Sequence, residues 1–207
     1  MANCFPASSY PSLLCPALLV QQPRGVTLTV DGALRPWQQE TMLDVSRVDT
    51  VGEPVLHVFV SECGSHSGIL LESVQRYPIA LLDTSRAVGP KDSPHPVANS
   101  RCVRISRASM SSWDPSEPPF AIVEAPHSGG RKFIARQGTE DGSVGPVLLV
   151  VCTNASGQAS NVVDADGKLL ASLDMRNTPM DRALVHFAHG TDAGLVLCAI
   201  IAVIKLG

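Results

Sequence analysis

The chain has 207 residues, of which 44% are hydrophobic, 17% charged and only 4% aromatic, with a formal net charge of −3 at pH 7. That length and balance suit one medium domain or two small ones with a buried core, and exclude a disordered polymer. The negative balance excludes the strong positive field that sequence-independent nucleic-acid binding requires, so no nucleic-acid partner is expected.

Sixteen glycines and sixteen prolines favour many turns and few long helices. Residues 1–24 read as an extended arm whose Leu13, Leu14, Leu18 and Leu19 pack on the domain that follows, residues 25–207. The arm has no basic leader, and Pro11 and Pro16 interrupt its apolar stretch, so no secretory signal is expected and the chain is placed in the cytoplasm. Myristoylation needs glycine after the initiator, and Ala2 stands there. Nothing specific in the pattern supports acylation of Cys4 or Cys15.

Short strands follow. "VTLTV" at Val26–Val30 alternates, as do Leu43–Val48 and Val55–Val60. Ile69–Ser73, Ile79–Leu82, Arg101–Arg107, Phe120–Glu124 and Lys132–Ala135 continue the series, then Val147–Cys152, Ala159–Val163, Leu169–Leu173 and Ala183–Phe187. Turn chemistry separates them, as in "VGEP", "GSHSG", "NASG" and "DADG". In "DADG" a tight turn with Gly167 at positive φ is expected. The proline-rich stretch 89–119 reads as long loops around the Arg101–Arg107 strand, and the loop holding Trp113 is a candidate docking point for a protein partner. "VDTVGEPVLHV" at 48–58 and "VDADGKLLASL" at 163–173 echo one another, each as a strand, an Asp-containing turn and a strand.

The chain ends on "GTDAGLVLCAIIAVIKLG", with no charged side chain from Ala193 to Ile204. As a helix this run spans about 18 Å, well short of the roughly 30 Å core of a bilayer. A helix apolar on every face must then be surrounded by protein. Thr191 is the expected N-cap, with Asp192 in the first turn and Lys205 complementing the C-terminal end of the dipole. About twelve short strands and one helix at about 191–206 predict a mainly β fold, a closed antiparallel barrel or a sandwich, and threading a barrel would bury the C-terminal helix on every side.

The segments "ALVHFAHGTDAGLVLCAIIAVIKL" (183–206), "LDVSRVDTVGEPVLHVFVSE" (43–62) and "VVDADGKLLASLDM" (162–175) carry a likeness. They resemble the last strand, Gly-x-Asp turn, central helix and Asp-x-x-Gly hairpins of the tubby C-terminal-like superfamily. Within it, the LURP-one-related and phospholipid-scramblase-like proteins are the most similar. The resemblance spans about residues 20–207 and is thin over 86–130. It implies a twelve-stranded barrel around a hydrophobic helix, and a role in phosphoinositide or other anionic-lipid binding. The scramblase pattern of an acidic calcium-binding segment and a cysteine-rich palmitoylation cluster is not found here.

Lipid headgroups need cations, and two basic clusters offer them: Arg101, Arg104 and Arg107 in "RCVRISR", and Arg131, Lys132 and Arg136 in "GGRKFIAR". On a strand, Arg101 and Arg107 share one face and Arg104 takes the other. Ordinary solvated strand edges would carry the same residues. His186 and His189 are three apart, so a strand turns them to opposite faces and no metal site is expected. "GSHSG" puts His66 where a nucleophile elbow needs serine, so it reads as a loop. The six cysteines, at 4, 15, 63, 102, 152 and 198, form no C-x-x-C pair and read as free thiols. No cofactor loop, nucleophile–base pair or paired-carboxylate signature is read in the chain, so an enzyme ranks last. Two readings stand ahead of it: a module binding anionic phospholipid or phosphoinositide headgroups at a membrane surface, or a structural or protein-interaction module without a lipid role.

Overall fold

The computed structural model describes residues 13–31, 41–49, 54–63, 66–83, 102–108, 118–126, 130–139, 145–176 and 182–206. Among them, alternating apolar residues form twelve strands, and the uncharged C-terminal run forms a helix. The strands are β1 (Val26–Asp31), β2 (Thr41–Arg47), β3 (Pro54–Cys63), β4 (His66–Ser73), β5 (Pro78–Asp83) and β6 (Cys102–Arg107). They continue as β7 (Ala121–Glu124), β8 (Lys132–Gln137), β9 (Val147–Thr153), β10 (Ala159–Asp164), β11 (Leu169–Asp174) and β12 (Arg182–Phe187), and the helix α1 spans Ala193–Leu206. Each strand pairs antiparallel with its chain neighbours, and β1 closes the cylinder on β12, from Val26 opposite Phe187 to Asp31 opposite Arg182. Closure removes the unpaired edges that an open sheet would expose.

Alternation decides what fills the interior. Leu43 and Val45, Leu56 and Val58, Ile69 and Leu71, and Val103 and Ile105 all point inward and are almost wholly buried. The helix occupies the space they enclose. Its apolar side chains face every direction, and Val196, Leu197, Cys198, Ala199, Ile200, Ile201, Ala202, Val203 and Leu206 are buried. It lies against β5, β6, β7 and β9. Ala80 on β5 and Ala121 on β7 point inward there, and their small side chains leave it space.

Helix capping differs from the sequence expectation. Asp192, rather than Thr191, is the N-cap: its Oδ1 accepts the Leu195 N–H at 3.0 Å and its carbonyl accepts the Val196 N–H at 3.1 Å. The Thr191 hydroxyl instead donates to the Leu170 carbonyl at 3.1 Å, tying the helix approach to β11. The "DADG" turn is as expected, with Gly167 at φ 84° and the Asp164 carboxylate accepting the Asp166 and Lys168 N–H groups. The arm lies across the end where the helix enters. Leu14 and Val20 are buried, a 3-10 turn forms at Pro16–Leu18, and Val20 exchanges backbone hydrogen bonds with Gly190 and Thr191.

Burial sorts the thiols. Cys15, Cys102 and Cys198 are buried thiols in no disulfide, while Cys152 is exposed on the outside of β9. Burial in the core pushes the Cys198 thiol far above its ordinary range. Alkylation of the native protein, read by mass spectrometry, is expected to label Cys152 quickly and Cys198 only when the barrel opens. Equal labelling rates would contradict the threaded helix.

Candidate functional site

Barrel geometry separates the predicted basic residues into three environments. β6, β7 and β8 are neighbours, and their register sets Arg104 opposite Ile122 and Ile122 opposite Arg136. Arg104 and Arg136 therefore flank Ile122 on the outer surface, two strand spacings or roughly 10 Å apart. Carboxylates accompany both. Asp83 stands opposite Arg104 on β5, and the Arg136 Nε lies 3.5 Å from the Glu124 carboxylate. This row is nearly balanced in charge.

Arg107 ends β6 near the arm. Its guanidinium donates to the Leu13 carbonyl at 2.6 Å and lies 5.0 Å from the centre of the Phe120 ring. It holds the arm against the barrel rim, a role that spends its best donors. Arg101 and Trp113 lie outside the described residues.

Lys132 begins β8 at the opposite end of the barrel, with Arg131 just before it. Both are exposed, and among the described residues neither has a carboxylate partner. The nearby charges at that end are self-contained, since Arg176 pairs with Asp174 at 3.0 Å and holds its carboxyl below the ordinary aspartate range. The five described candidates thus do not form one patch. Among the described residues, the candidates with neither a carboxylate beside them nor a bond to the arm are a neighbouring pair at one end of one strand.

The interior beside this pair contains a feature that alternation could not reveal. A cavity of about 240 Å³ lies between the C-terminal half of α1 and the wall made by β8–β11. Phe133, Val151, Leu173, Met175, Ile200, Val203 and Ile204 supply most of its lining, with Thr153, Gly157 and Ser160. The polar members share one level. Thr153 sits opposite Ser160 in the sheet, and its N–H donates to the Arg131 carbonyl at 2.9 Å. Ser160 is 6% exposed, and its hydroxyl has no hydrogen-bond partner among the described residues. In sequence, Ser160 is the polar residue at an inward position of "ASNVVD", and only the barrel geometry shows what it faces.

A second polar group was also missed. His57 Nδ1 lies 2.8 Å from the Asp44 carboxylate across β2 and β3, with Glu72 next in the same outer row. Alternation sets each of these residues outward, but their meeting depends on strand register. His186 is exposed on β12, its Nδ1 3.0 Å from the Thr27 hydroxyl, and His189 lies beyond the end of that strand in an exposed turn, so the strand alternation expected between them does not apply. Among the described residues no cluster of metal-ligating side chains is found. No described helix is long and apolar enough to cross a membrane.

No family model matches the chain, and no curated protein does. Its fold is similar to the X-ray structure of a protein from Arabidopsis thaliana, with a TM-score of 0.63 at 9% sequence identity. The superposition covers 95% of this chain and 99% of that one. At so low an identity the likeness is one of fold, a twelve-stranded closed barrel with its terminal helix inside.

Proposed function

We propose that this barrel is a non-enzymatic module of the tubby-like kind that docks on anionic phospholipid headgroups through the start of β8. The observation that carries this reading is the exposed, unpaired Arg131–Lys132 pair, set against the engaged Arg107 and the charge-balanced Arg104 and Arg136. A guanidinium and an ammonium at one rim of the barrel can both approach a phosphate-bearing surface, each as a charged donor to phosphate oxygens. Each basic residue near an anionic leaflet contributes about 1 kcal/mol, so the pair supplies about 2 kcal/mol, roughly a thirtyfold gain in partition.

Co-sedimentation with neutral, phosphatidylserine-containing and phosphoinositide-containing vesicles tests this at physiological salt. Selective pelleting with the anionic vesicles is expected, weakening as salt rises. Charge reversal of Arg131 and Lys132 to Glu should abolish it, while Arg104→Gln should leave most of it. Absence of pelleting on every anionic vesicle removes the lipid reading.

A protein-interaction module is the second reading, and one outer row favours it. Met42, Phe59, Leu70 and Leu81 stand opposite one another across β2 to β5, and Met42 is 46% exposed. Partner capture sensitive to Phe59 or Leu70, without vesicle binding, would support it.

A further inference from the structure

The cavity beside α1 is apolar in its depth and polar at one level. Phe133 and Val151 face each other across β8 and β9, and Ile200, Val203 and Ile204 close the helix side. Thr153 and Ser160 lie one step nearer the end of the barrel, at the level of the Arg131 carbonyl. A buried hydroxyl without a partner costs free energy unless something fills its hydrogen-bonding capacity. A pocket meant for water alone would carry several polar groups, whereas this one is lined mainly by hydrocarbon. Arg131, exposed at the rim, lies two residues before Phe133 of its wall, whereas Lys132 takes the outer face.

We propose that the cavity binds the hydrocarbon chain of a single-chain carboxylic acid. The carboxylate lies at the Ser160–Thr153 level and accepts hydrogen bonds from the Ser160 hydroxyl and, at the rim, from Arg131. The chain extends inward past Phe133 and Val151 along the helix. The volume of about 240 Å³ admits about eight chain carbons beyond the carboxylate, taking each methylene as about the size of a water molecule in the liquid. The inference shares Arg131 with the headgroup reading but rests on the cavity, so either can fail alone.

Calorimetric titration of the full chain with saturated fatty acids from hexanoate to palmitate, each kept below micelle formation, tests it. Saturable binding of one acid per chain is expected. Each added methylene should tighten it about fourfold until the cavity is full, at roughly decanoate, after which affinity levels off or falls. Decanol should bind more weakly than decanoate, and Ser160→Ala should weaken decanoate severalfold. Val203→Phe narrows the slot and should shift the preference toward shorter acids while vesicle pelleting is unchanged. Affinity rising steadily through palmitate would mark adsorption to the outside and overturn the proposal, as would the lack of saturable binding. Equal affinity for decanol and decanoate would overturn the placement of the carboxylate.

Discussion

A chain ending at Gly190 is expected to be insoluble or molten. The helix it lacks buries Val196, Leu197, Ile200, Ile201, Val203 and Leu206 in the centre of the barrel. Six large aliphatic side chains at about 1.5–3 kcal/mol each contribute roughly 9–18 kcal/mol of gross burial. The net stability of a typical domain is about 5–15 kcal/mol, so this one element carries as much as the fold can spare. Its loss also exposes the inward faces of the strands, where Val45, Val58, Leu71 and Ile105 are now fully buried. Water entering such an interior would wet apolar walls on every side, and collapse or aggregation is the better outcome for the chain. The graded form of the experiment is Leu197→Ala, which should cost about 2–5 kcal/mol in denaturant unfolding because the cavity it leaves lies at the centre of the core. Near-ultraviolet circular dichroism and the unfolding transition decide the matter. A soluble truncation that unfolds cooperatively would sink the view that the helix is the core.

Much of this architecture was legible because barrel physics is written in the period of the sequence. Each predicted strand has a counterpart, since inward residues such as Leu56 and Val58 or Ile69 and Leu71 recur at every second position and are buried. The helix was legible for the opposite reason, being apolar without period over a length too short for a bilayer. What the pattern could not supply is which strand faces which across the barrel. Arg104 and Arg136 are far apart in sequence and meet around Ile122 only through two strand registers. Arg107 is read from sequence as one more cation of its cluster. Its hydrogen bond to the Leu13 carbonyl joins residues separated by 94 positions, a contact that no local rule anticipates. The Thr191 assignment failed for a similar reason. Both Thr and Asp cap helices well, and the choice fell to Asp192 because the Thr191 hydroxyl was drawn to the Leu170 carbonyl on β11. The cavity is the least legible feature. It depends on where a helix of nearly uniform apolarity rests within a cylinder, and such a helix carries no face to announce its side.

Asp192→Ala is expected to cost about 3–5 kcal/mol, the largest effect of any single polar substitution proposed for this chain. The side chain is almost wholly buried and joins two segments through three hydrogen bonds. One carboxylate oxygen caps the helix through the Leu195 N–H. The other accepts the Leu14 N–H at 2.6 Å and the Cys15 N–H at 3.2 Å, so the arm is fastened to the helix start by a charged acceptor. Close approach permits this, because Gly194 in the first turn has no side chain. A Cβ there would come within 2.9 Å of the Cys15 Cβ. Alanine at 192 leaves those three N–H groups without their acceptor, and the arm's pair must either stay buried unsatisfied or peel away to reach water. Peeling is the cheaper course, and the thiols report it. Burial, and after it the charge of Asp192, raise the Cys15 thiol above its ordinary range, whereas Cys198 sits deeper on the helix itself. In Asp192→Ala, alkylation of Cys15 should therefore accelerate well before that of Cys198, with the unfolding midpoint lowered and the denaturant slope little changed. Simultaneous loss of protection at both thiols would show instead that arm, cap and helix open as one unit. A stability change under about 1 kcal/mol would remove Asp192 from its place as the joint between them.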